Sequence, residues 1–209
     1  MGITIHASGK IDSIDDVPRL IDDLKEAAVE RNWKYHIIND DFAVRPNAVL
    51  TPHKAGGRAA TIEGSLGLKG IILNVEPKAE PLAVLFDCNG VLTDMMQQLS
   101  WINGHGQGER FTSCKTQFAD IDAHIHIIEL LDSLKKKYIS DLLVSDEGAY
   151  WESRDRRLLA EKRVALGYYL RHAEKVISSI EVSSADAHDA ESIAARIEEA
   201  LLKSKKEDK

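Results

Sequence analysis

The middle of the chain constrains the fold most, because three apolar segments follow one another there without room for helices between them. The segments are residues 68–75, 82–86 and 91–92. The first two are separated by six residues that include two prolines, and the last two by a stretch that contains Asn89-Gly90. Strands joined by such short turns pair antiparallel, whereas parallel strands need a crossover of about a dozen residues or more. We therefore predict an antiparallel meander here and not a doubly wound parallel sheet.

A β-α-β pattern flanks the meander on each side. Before it, an alternating strand at residues 3–6 is followed by an amphipathic helix and an alternating strand at residues 33–38. After it, strands at residues 111–116 and 142–144 enclose a helix at residues 120–138. Within one sheet such units have parallel strands, which we expect for both. The patterns predict an α+β fold: a mixed, largely antiparallel sheet (β-α-β, β-meander, β-α-β) with helices mainly on one face.

Two C-terminal helices complete the predicted fold, and two loops flank the meander. The helices begin near Ser153 and near Asp189. The apolar stripe of the first helix recurs at heptad-like spacing, which serves either the core of the domain or a homodimer. Residues 43–67 and 99–109 are rich in glycine with little periodicity, and they predict long loops.

Length and composition describe a self-sufficient acidic protein. A chain of 209 residues can bury roughly 70% of its unfolded surface. We predict one domain at residues 1–203 and a charged flexible tail at residues 204–209. The balance of 27 basic and 34 acidic residues, a net charge of −7, argues against a nucleic-acid surface. No segment approaches the ~18 consecutive apolar residues of a membrane span, so we expect no membrane partner.

The two cysteines indicate a reducing compartment. Cys88 and Cys114 lie far apart in the sequence and form neither a disulfide framework nor a Cys-x-x-Cys metal motif. Reduced, buried thiols are the simpler interpretation. We therefore expect a cytoplasmic protein of bacterial type.

Residues 86–94 admit two interpretations. An aspartate that ends an apolar strand before Gly-Val-Leu-Thr-Asp resembles the nucleophile loop of the haloacid-dehalogenase phosphotransferases. That resemblance implies an Mg²⁺-dependent phosphatase or phosphotransferase with Asp87 as nucleophile and Asp94 nearby. The family's motif places a second carboxylate, the general acid, where this chain has Asn89. Asn89-Gly90 is also a strong hairpin signal. We prefer the hairpin and keep the enzyme as the alternative.

Two histidines fall on one predicted helix. His124 and His126 would face the same side of a strand and suit a metal ion. On a helix their side chains point about 200° apart and cannot chelate one ion. The position of His124 on the apolar stripe predicts a hydrogen-bonded half-core residue, whereas His126 faces outward. We predict no metal site.

The site that we favour follows from the second β-α-β unit. If the strands that end near Thr116 and Val144 are parallel partners, their C-terminal ends lie at the same sheet edge. The segments after them combine a lysine at a helix start with carboxylates and aromatic rings, a mixture suited to a protein or a small anionic ligand. The predicted binding residues are Lys115, Gln117, Asp146, Glu147, Tyr150 and Trp151.

The expected function is non-enzymatic binding at this edge, without a cofactor. One alternative remains for the aromatic pair: Tyr150 and Trp151 fill the core beneath the long helix. Residues 68–71, 115–118 and 146–152 are similar to a family of uncharacterised bacterial proteins. That similarity names no activity.

Overall fold

A computed structural model describes residues 2–53 and 60–178, with nine strands and five helices. The strands are β1 (Thr4–Ser8), β2 (Lys34–Asn39), β3 (Val49–Pro52), β4 (Ala60–Glu63), β5 (Lys69–Asn74), β6 (Leu82–Phe86), β7 (Leu92–Thr93), β8 (Thr112–Lys115) and β9 (Leu143–Asp146). The helices are α1 (Val17–Glu30), α2 (Met95–Ile102), α3 (Ile121–Lys137), α4 (Tyr150–Ser153) and α5 (Arg156–Ser178). The predicted helix near Asp189 and the predicted tail at 204–209 lie outside the described residues.

The predicted meander is confirmed. Strands β5, β6 and β7 pair antiparallel in sequence order, and β2 joins the outer side of β5 to give a four-stranded sheet in the order β2-β5-β6-β7. The turn between β6 and β7 is closed by the Gly90 N–H, which donates to the Asp87 carbonyl at 2.9 Å. Gly90 has a φ of 76°, whereas Asn89 keeps a negative φ. The α+β class with largely antiparallel strands is thus confirmed.

The parallel strands that we expected in each β-α-β unit are absent from the first unit and present, but not adjacent, in the second. Strand β1 does not pair with β2; it forms the centre of a separate three-stranded sheet in the order β8-β1-β9. It runs antiparallel to both neighbours. Strands β8 and β9 therefore run parallel to each other, but β1 separates them. The handedness rule applies only to strands of one sheet, and here the chain leaves the first sheet after β1.

Two predicted loops contain regular structure. The region 43–67 includes the antiparallel hairpin β3–β4, and the region 99–109 begins inside helix α2. Asp94 caps α2: its Oδ1 accepts the backbone N–H groups of Met96 and Gln97, each at 2.8 Å. An eight-residue helix spans little more than two turns, too short for a helical period to show in the pattern.

The core lies on both faces of the four-stranded sheet. Helix α1 buries Val17, Leu20, Leu24 and Ala28 at helical spacing, and these residues join a large cluster that includes α3 and the inner faces of β1, β5 and β6. A smaller cluster covers the opposite face of the sheet. Its buried members are Ala48, Leu66, Leu68, Leu85 and Leu99. Each fully buried aliphatic or phenyl side chain stabilises the fold by about 1.5–3 kcal/mol.

The predicted long helix is present but begins later than expected. Residues Tyr150–Ser153 form the separate short helix α4, and Arg154 then adopts a positive φ of 53° before α5 starts. Within the described residues, no helix has both the length and the apolarity needed to cross a membrane. The chain divides into two compact units, one of which is Gly2–Leu159 and includes every described strand. The single domain at 1–203 stays a prediction.

Replacing Gly70 by alanine should destabilise the fold far more than replacing Gly104. Gly70 lies between two neighbouring strands with a φ of 151°, and an added Cβ would lie 2.0 Å from the Val84 carbonyl oxygen. Gly104 has a φ of 77° with nothing within 4 Å of such a Cβ. We expect Gly70→Ala to lower the free energy of unfolding by at least about 3 kcal/mol and Gly104→Ala by about 1–2 kcal/mol. Urea denaturation measures both, and equal losses would contradict this packing.

Candidate functional site

The three-stranded sheet has one buried and one outward face. Along β1, Ile5 and Ala7 are buried, whereas Thr4, His6 and Ser8 alternate with them and point outward. Their cross-strand neighbours share that direction, so the strand register arranges the outward side chains in three rows. We call this surface the outward face.

The first row carries charge. Lys115 of β8 lies opposite Thr4, and Glu147 follows β9 on the other side of β1. The Glu147 Oε2 accepts the Thr4 N–H at 2.8 Å, and the Glu147 N–H donates to the Thr4 carbonyl at 3.2 Å. One cation and one carboxylate therefore flank the first residue of β1.

The other two rows form a groove. In the second row His6 lies between Ser113 and Ser145, and its ring meets that of Phe111 edge to face with centroids 5.5 Å apart. In the third row Ser8 lies opposite Leu143, whose exposure of 64% is high for a leucine. The groove has a volume of about 300 Å³. It is lined by His6, Ala7, Ser8, Glu109, Phe111, Leu143, Val144 and Ser145.

The predicted site residues meet in part. The ends of β8 and β9 do lie at one sheet edge, but the start of β1 stands between them. On the β8 side, Lys115 and Gln117 converge on the backbone of Gly2: a Cβ there would lie 2.8 Å from Gln117 Oε1 and 3.2 Å from Lys115 Cε. On the β9 side Glu147 is exposed. Lys115 and Gln117 are half-buried, so Glu147 is the most exposed of these three polar side chains.

Asp146 is a buried structural residue. Its Oδ1 accepts the Gly148 N–H at 2.7 Å, and its Oδ2 accepts the N–H groups of Tyr150 at 2.7 Å and Trp151 at 3.0 Å. The imidazole of His124 lies 3.2 Å away. Burial by itself raises the pKa of Asp146, but the hydrogen bond and charge of His124 and the backbone N–H groups outweigh it, so the pKa lies below its ordinary value. The carboxylate therefore holds the turn that begins α4.

Thr116, His124 and Asp146 form a buried chain of polar side chains. The Thr116 hydroxyl and His124 Nδ1 are 2.7 Å apart, and His124 Nε2 faces the carboxylate of Asp146. Hydroxyl, imidazole and carboxylate in series are also the parts of a nucleophile triad. Here Thr116 and His124 are 0% exposed, and no substrate reaches the hydroxyl. These three side chains connect the ends of β8 and β9 to α3.

The sequence indicated only one of these three hydrogen-bonded residues. The position of His124 on an apolar helical stripe predicted a hydrogen-bonded half-core residue; the hydrogen bonds are present, and the side chain is buried completely. Thr116 and Asp146 gave no sign of being its partners, because the three residues meet only through tertiary folding. His126 faces elsewhere, and its ring lies 6.1 Å from that of Trp33.

The rings of Tyr150 and Trp151 pack against the main core and are half-buried. The Arg154 guanidinium lies 4.9 Å from the centroid of the Trp151 ring. The alternative interpretation, that this pair fills the core, thus has direct packing support. Only the uncovered part of each ring contributes to the predicted edge.

Asp87 lies in the hairpin between two antiparallel strands. Its Oδ1 accepts the N–H groups of Asn89 and Val91, each at 2.9 Å. Its Oδ2 accepts from Arg110 Nη2 at 2.8 Å, and the two side chains are only 7% and 10% exposed. A haloacid-dehalogenase nucleophile loop leaves a parallel strand, whereas this loop reverses an antiparallel pair. The Asp87 carboxylate is occupied by the turn and by Arg110.

Arg110 connects the hairpin to α2. Its Nη1 donates to Gln98 Oε1 at 2.9 Å, and the Gln98 Nε2 donates to the Leu66 carbonyl at 3.0 Å. The guanidinium also lies 5.0 Å from the centroid of the Trp101 ring. With Asp94 capping α2, both aspartates of the phosphotransferase alternative have structural partners, and we do not carry that alternative forward.

The described part of the chain contains no cluster suited to a metal ion, and it contains two free cysteines. Within residues 2–53 and 60–178, no group of three or more histidine, cysteine or acidic side chains is placed to hold a metal ion. Cys88 is exposed and Cys114 is buried. Burial, with a smaller contribution from Glu80, raises the pKa of Cys114 to about 12, so this thiol stays protonated.

Replacing Asp146 by asparagine should destabilise the fold in a pH-dependent way. The change leaves buried N–H groups and His124 with a poorer acceptor, at a cost of about 2–4 kcal/mol near neutral pH. Because folding lowers the pKa of Asp146, its stabilisation is present above the unfolded pKa of about 3.9 and is lost as the pH falls through the folded value. Denaturant titrations from neutral to acidic pH should therefore show the two proteins converging.

The matched control for that prediction is Asp122→Asn. Asp122 is paired with Arg156 on the surface, with side-chain exposures of 53% and 55%. Exposed pairs contribute little, so this variant should stay close to the native protein throughout. A pH-independent deficit in Asp146→Asn would show that the carboxylate charge is not what stabilises the turn.

Asp87 and Arg110 should show strong energetic coupling. Asp87→Asn leaves a nearly buried guanidinium without its counter-ion and should cost about 3 kcal/mol of unfolding free energy. Asp87→Asn combined with Arg110→Met removes both charges and should cost less than the sum of the single changes by at least about 1 kcal/mol. Additive losses in the thermodynamic cycle would contradict the pairing.

No family model, curated protein or solved structure matches this chain.

Proposed function

We propose that the protein is a cytoplasmic, non-enzymatic binding protein that receives a protein partner on the outward face of the sheet β8-β1-β9. One observation carries this proposal: the exposed apolar side chains of Phe111 and Leu143 line a groove that continues into the charged row formed by Lys115 and Glu147. The charged row belongs to the edge that the sequence predicted, and the groove extends that edge along the strands.

The composition of the groove supports a protein partner. Protein interfaces combine a desolvated apolar centre with a polar rim that sets orientation. Phe111 and Leu143 supply the apolar centre, and the hydroxyls of Ser8 and Ser145 supply hydrogen-bonding groups. Lys115 and Glu147 provide one charge of each sign at the rim, which orients a partner of mixed charge.

A small anionic ligand fits this surface less well. Lys115 would attract it, but Glu109 lines the groove and Glu147 stands across β1 from Lys115. The two carboxylates offset the lysine, so an anion gains little from the site. The mixed charge favours the protein partner.

Non-enzymatic binding is supported by the arrangement of the imidazole and hydroxyl groups at the groove, which are not hydrogen-bonded to each other among the described residues. Among the hydrogen bonds of the described residues, none joins His6 to Ser113 or Ser145. A serine nucleophile requires such a base within hydrogen-bond reach. The hydroxyl–imidazole–carboxylate series that begins at Thr116 is buried beneath the sheet.

Leu143→Asp should abolish partner capture without unfolding the protein. The leucine is 64% exposed, so the substitution costs the fold little, but it places a charge in the apolar centre of the proposed interface. Val29→Asp is the matched control, because Val29 on α1 is also 64% exposed. In quantitative affinity capture from the native cell extract, we expect the partner recovered with Leu143→Asp to fall by roughly tenfold or more.

The control variant should retain the native amount of captured partner, and thermal melts should confirm that both variants are folded. The proposal fails if no protein is enriched by the native chain over Leu143→Asp. It also fails if the two variants lose the same protein to the same extent.

A further inference from the structure

Strand β2 is an unprotected sheet edge. Among the described residues it pairs with β5 on one side, and no strand pairs with its other side. Five of its six residues are exposed, with Tyr35 at 36% and Ile37 at 39%. Natural edges are usually short, bulged, interrupted by proline or covered. β2 is one of the two longest strands described, and it matches β5 residue for residue without a bulge.

The outward hydrogen-bonding groups of β2 are defined by the register. The Asp40 N–H donates to the Leu68 carbonyl at 3.0 Å, one step beyond the last pair of the ladder, Asn39 with Lys69. Antiparallel strands bond through every second residue, so Ile38, His36 and Lys34 also bond towards β5. The N–H and C=O groups of Tyr35, Ile37 and Asn39 therefore point away from the sheet.

We propose that β2 pairs antiparallel with β2 of a second copy of this chain, about a two-fold axis at Ile37. Residues opposite each other in an antiparallel pair face the same side of the sheet, so an axis perpendicular to the sheet passes through a like-residue pair. With the axis at Ile37, Tyr35 lies opposite the other copy's Asn39. All three outward residues of each copy are then hydrogen-bonded to outward residues of the other.

Charge complementarity selects this register. Lys34 lies opposite Asp40 of the other copy, in the closer, non-hydrogen-bonded type of pair, and the symmetry makes two such pairs. The Asp40 Oδ2 accepts the Ser65 hydroxyl and the Leu68 N–H of its own chain, each at 3.2 Å, so its Oδ1 is the oxygen that meets the lysine. The alternative axis at His36 would place Lys34 opposite Ile38 and leave Asn39 outside the pairing of outward residues. β2 begins with the basic residue Lys34 and is followed by the acidic residues Asp40 and Asp41. Opposite charges at the two ends of the strand favour its antiparallel pairing with a copy of itself.

A groove beside β2 fits the same occupant. It lies between the start of α1 and the strand, with a volume of about 430 Å³. Ile37 and Asn39 line it together with Ile21, Pro18 and Phe42. Because Tyr35 of the second copy lies opposite Asn39 on this same side of the sheet, its ring is directed to the groove. An aromatic ring over such an apolar surface adds to the backbone pairing.

The first test is the oligomeric state of the full chain. Sedimentation equilibrium should give a mass of twice 23.2 kDa. Ile37→Lys brings two like charges together at the axis and should weaken the dimer by roughly a hundredfold. Val29→Lys, an equally simple change at an exposed residue of α1, should leave the dimer intact. A single-chain mass at every concentration, or a dimer unaffected by Ile37→Lys, would overturn the proposal.

The second test fixes the register and detects a dimer of another kind. In a Cys88→Ser background, Ile37→Cys should form an intermolecular disulfide on mild oxidation, because like residues at the axis have Cα atoms about 5.5 Å apart, within the disulfide range. Tyr35→Cys should not, since its opposite residue is Asn39. Cross-linking of His36→Cys without cross-linking of Ile37→Cys would overturn the register. These outcomes do not depend on the groove at Leu143, so each proposal fails or stands separately.

Discussion

The carboxylate of Asp146 joins the end of β9 to helix α3 and to the turn that begins α4. Removing a carboxylate from water is costly, and the cost is offset here by three backbone N–H groups and the imidazole of His124. The imidazole in turn reaches Thr116, just beyond β8. The buried, hydrogen-bonded side chains of Thr116, His124 and Asp146 thus fix the ends of both outer strands of the three-stranded sheet. The rows of the outward face keep their spacing because these strand ends cannot move independently.

Local signals in the sequence predicted local structure well. The meander followed from short connections, since a chain cannot cross over a sheet in the few residues between β5, β6 and β7. The helical phase of His124 correctly predicted its burial. Asn89-Gly90 correctly indicated a hairpin, although only Gly90 takes the positive φ. In each instance the decisive interactions lie close together in the sequence, where residue type and spacing are sufficient.

The placement of β1 could not be predicted in the same way. Its alternation shows that two of its residues face one side and three the other, but both partners come from far along the chain. The choice between pairing with β2 and insertion between β8 and β9 depends on which apolar surfaces remain uncovered once all helices are packed. For this reason Lys115 and Glu147 could be named as candidate binding residues from the sequence, whereas His6 and Leu143, which line the groove, could not. The groove exists only because β1 lies between those two strands.

Two other sheet edges leave less backbone open than β2 does. The outer side of β8 is covered by the chain near Glu80, whose N–H donates to the Lys115 carbonyl at 2.9 Å. Strand β7 has only two residues, too few to template another strand. Among the described residues β2 has neither protection, so its backbone is available to the second copy that we propose, whereas the outward face offers side chains. A dimer paired through β2 carries two outward faces, and a partner with two binding segments would then gain avidity of about 10²–10⁴ wherever both faces can be reached together.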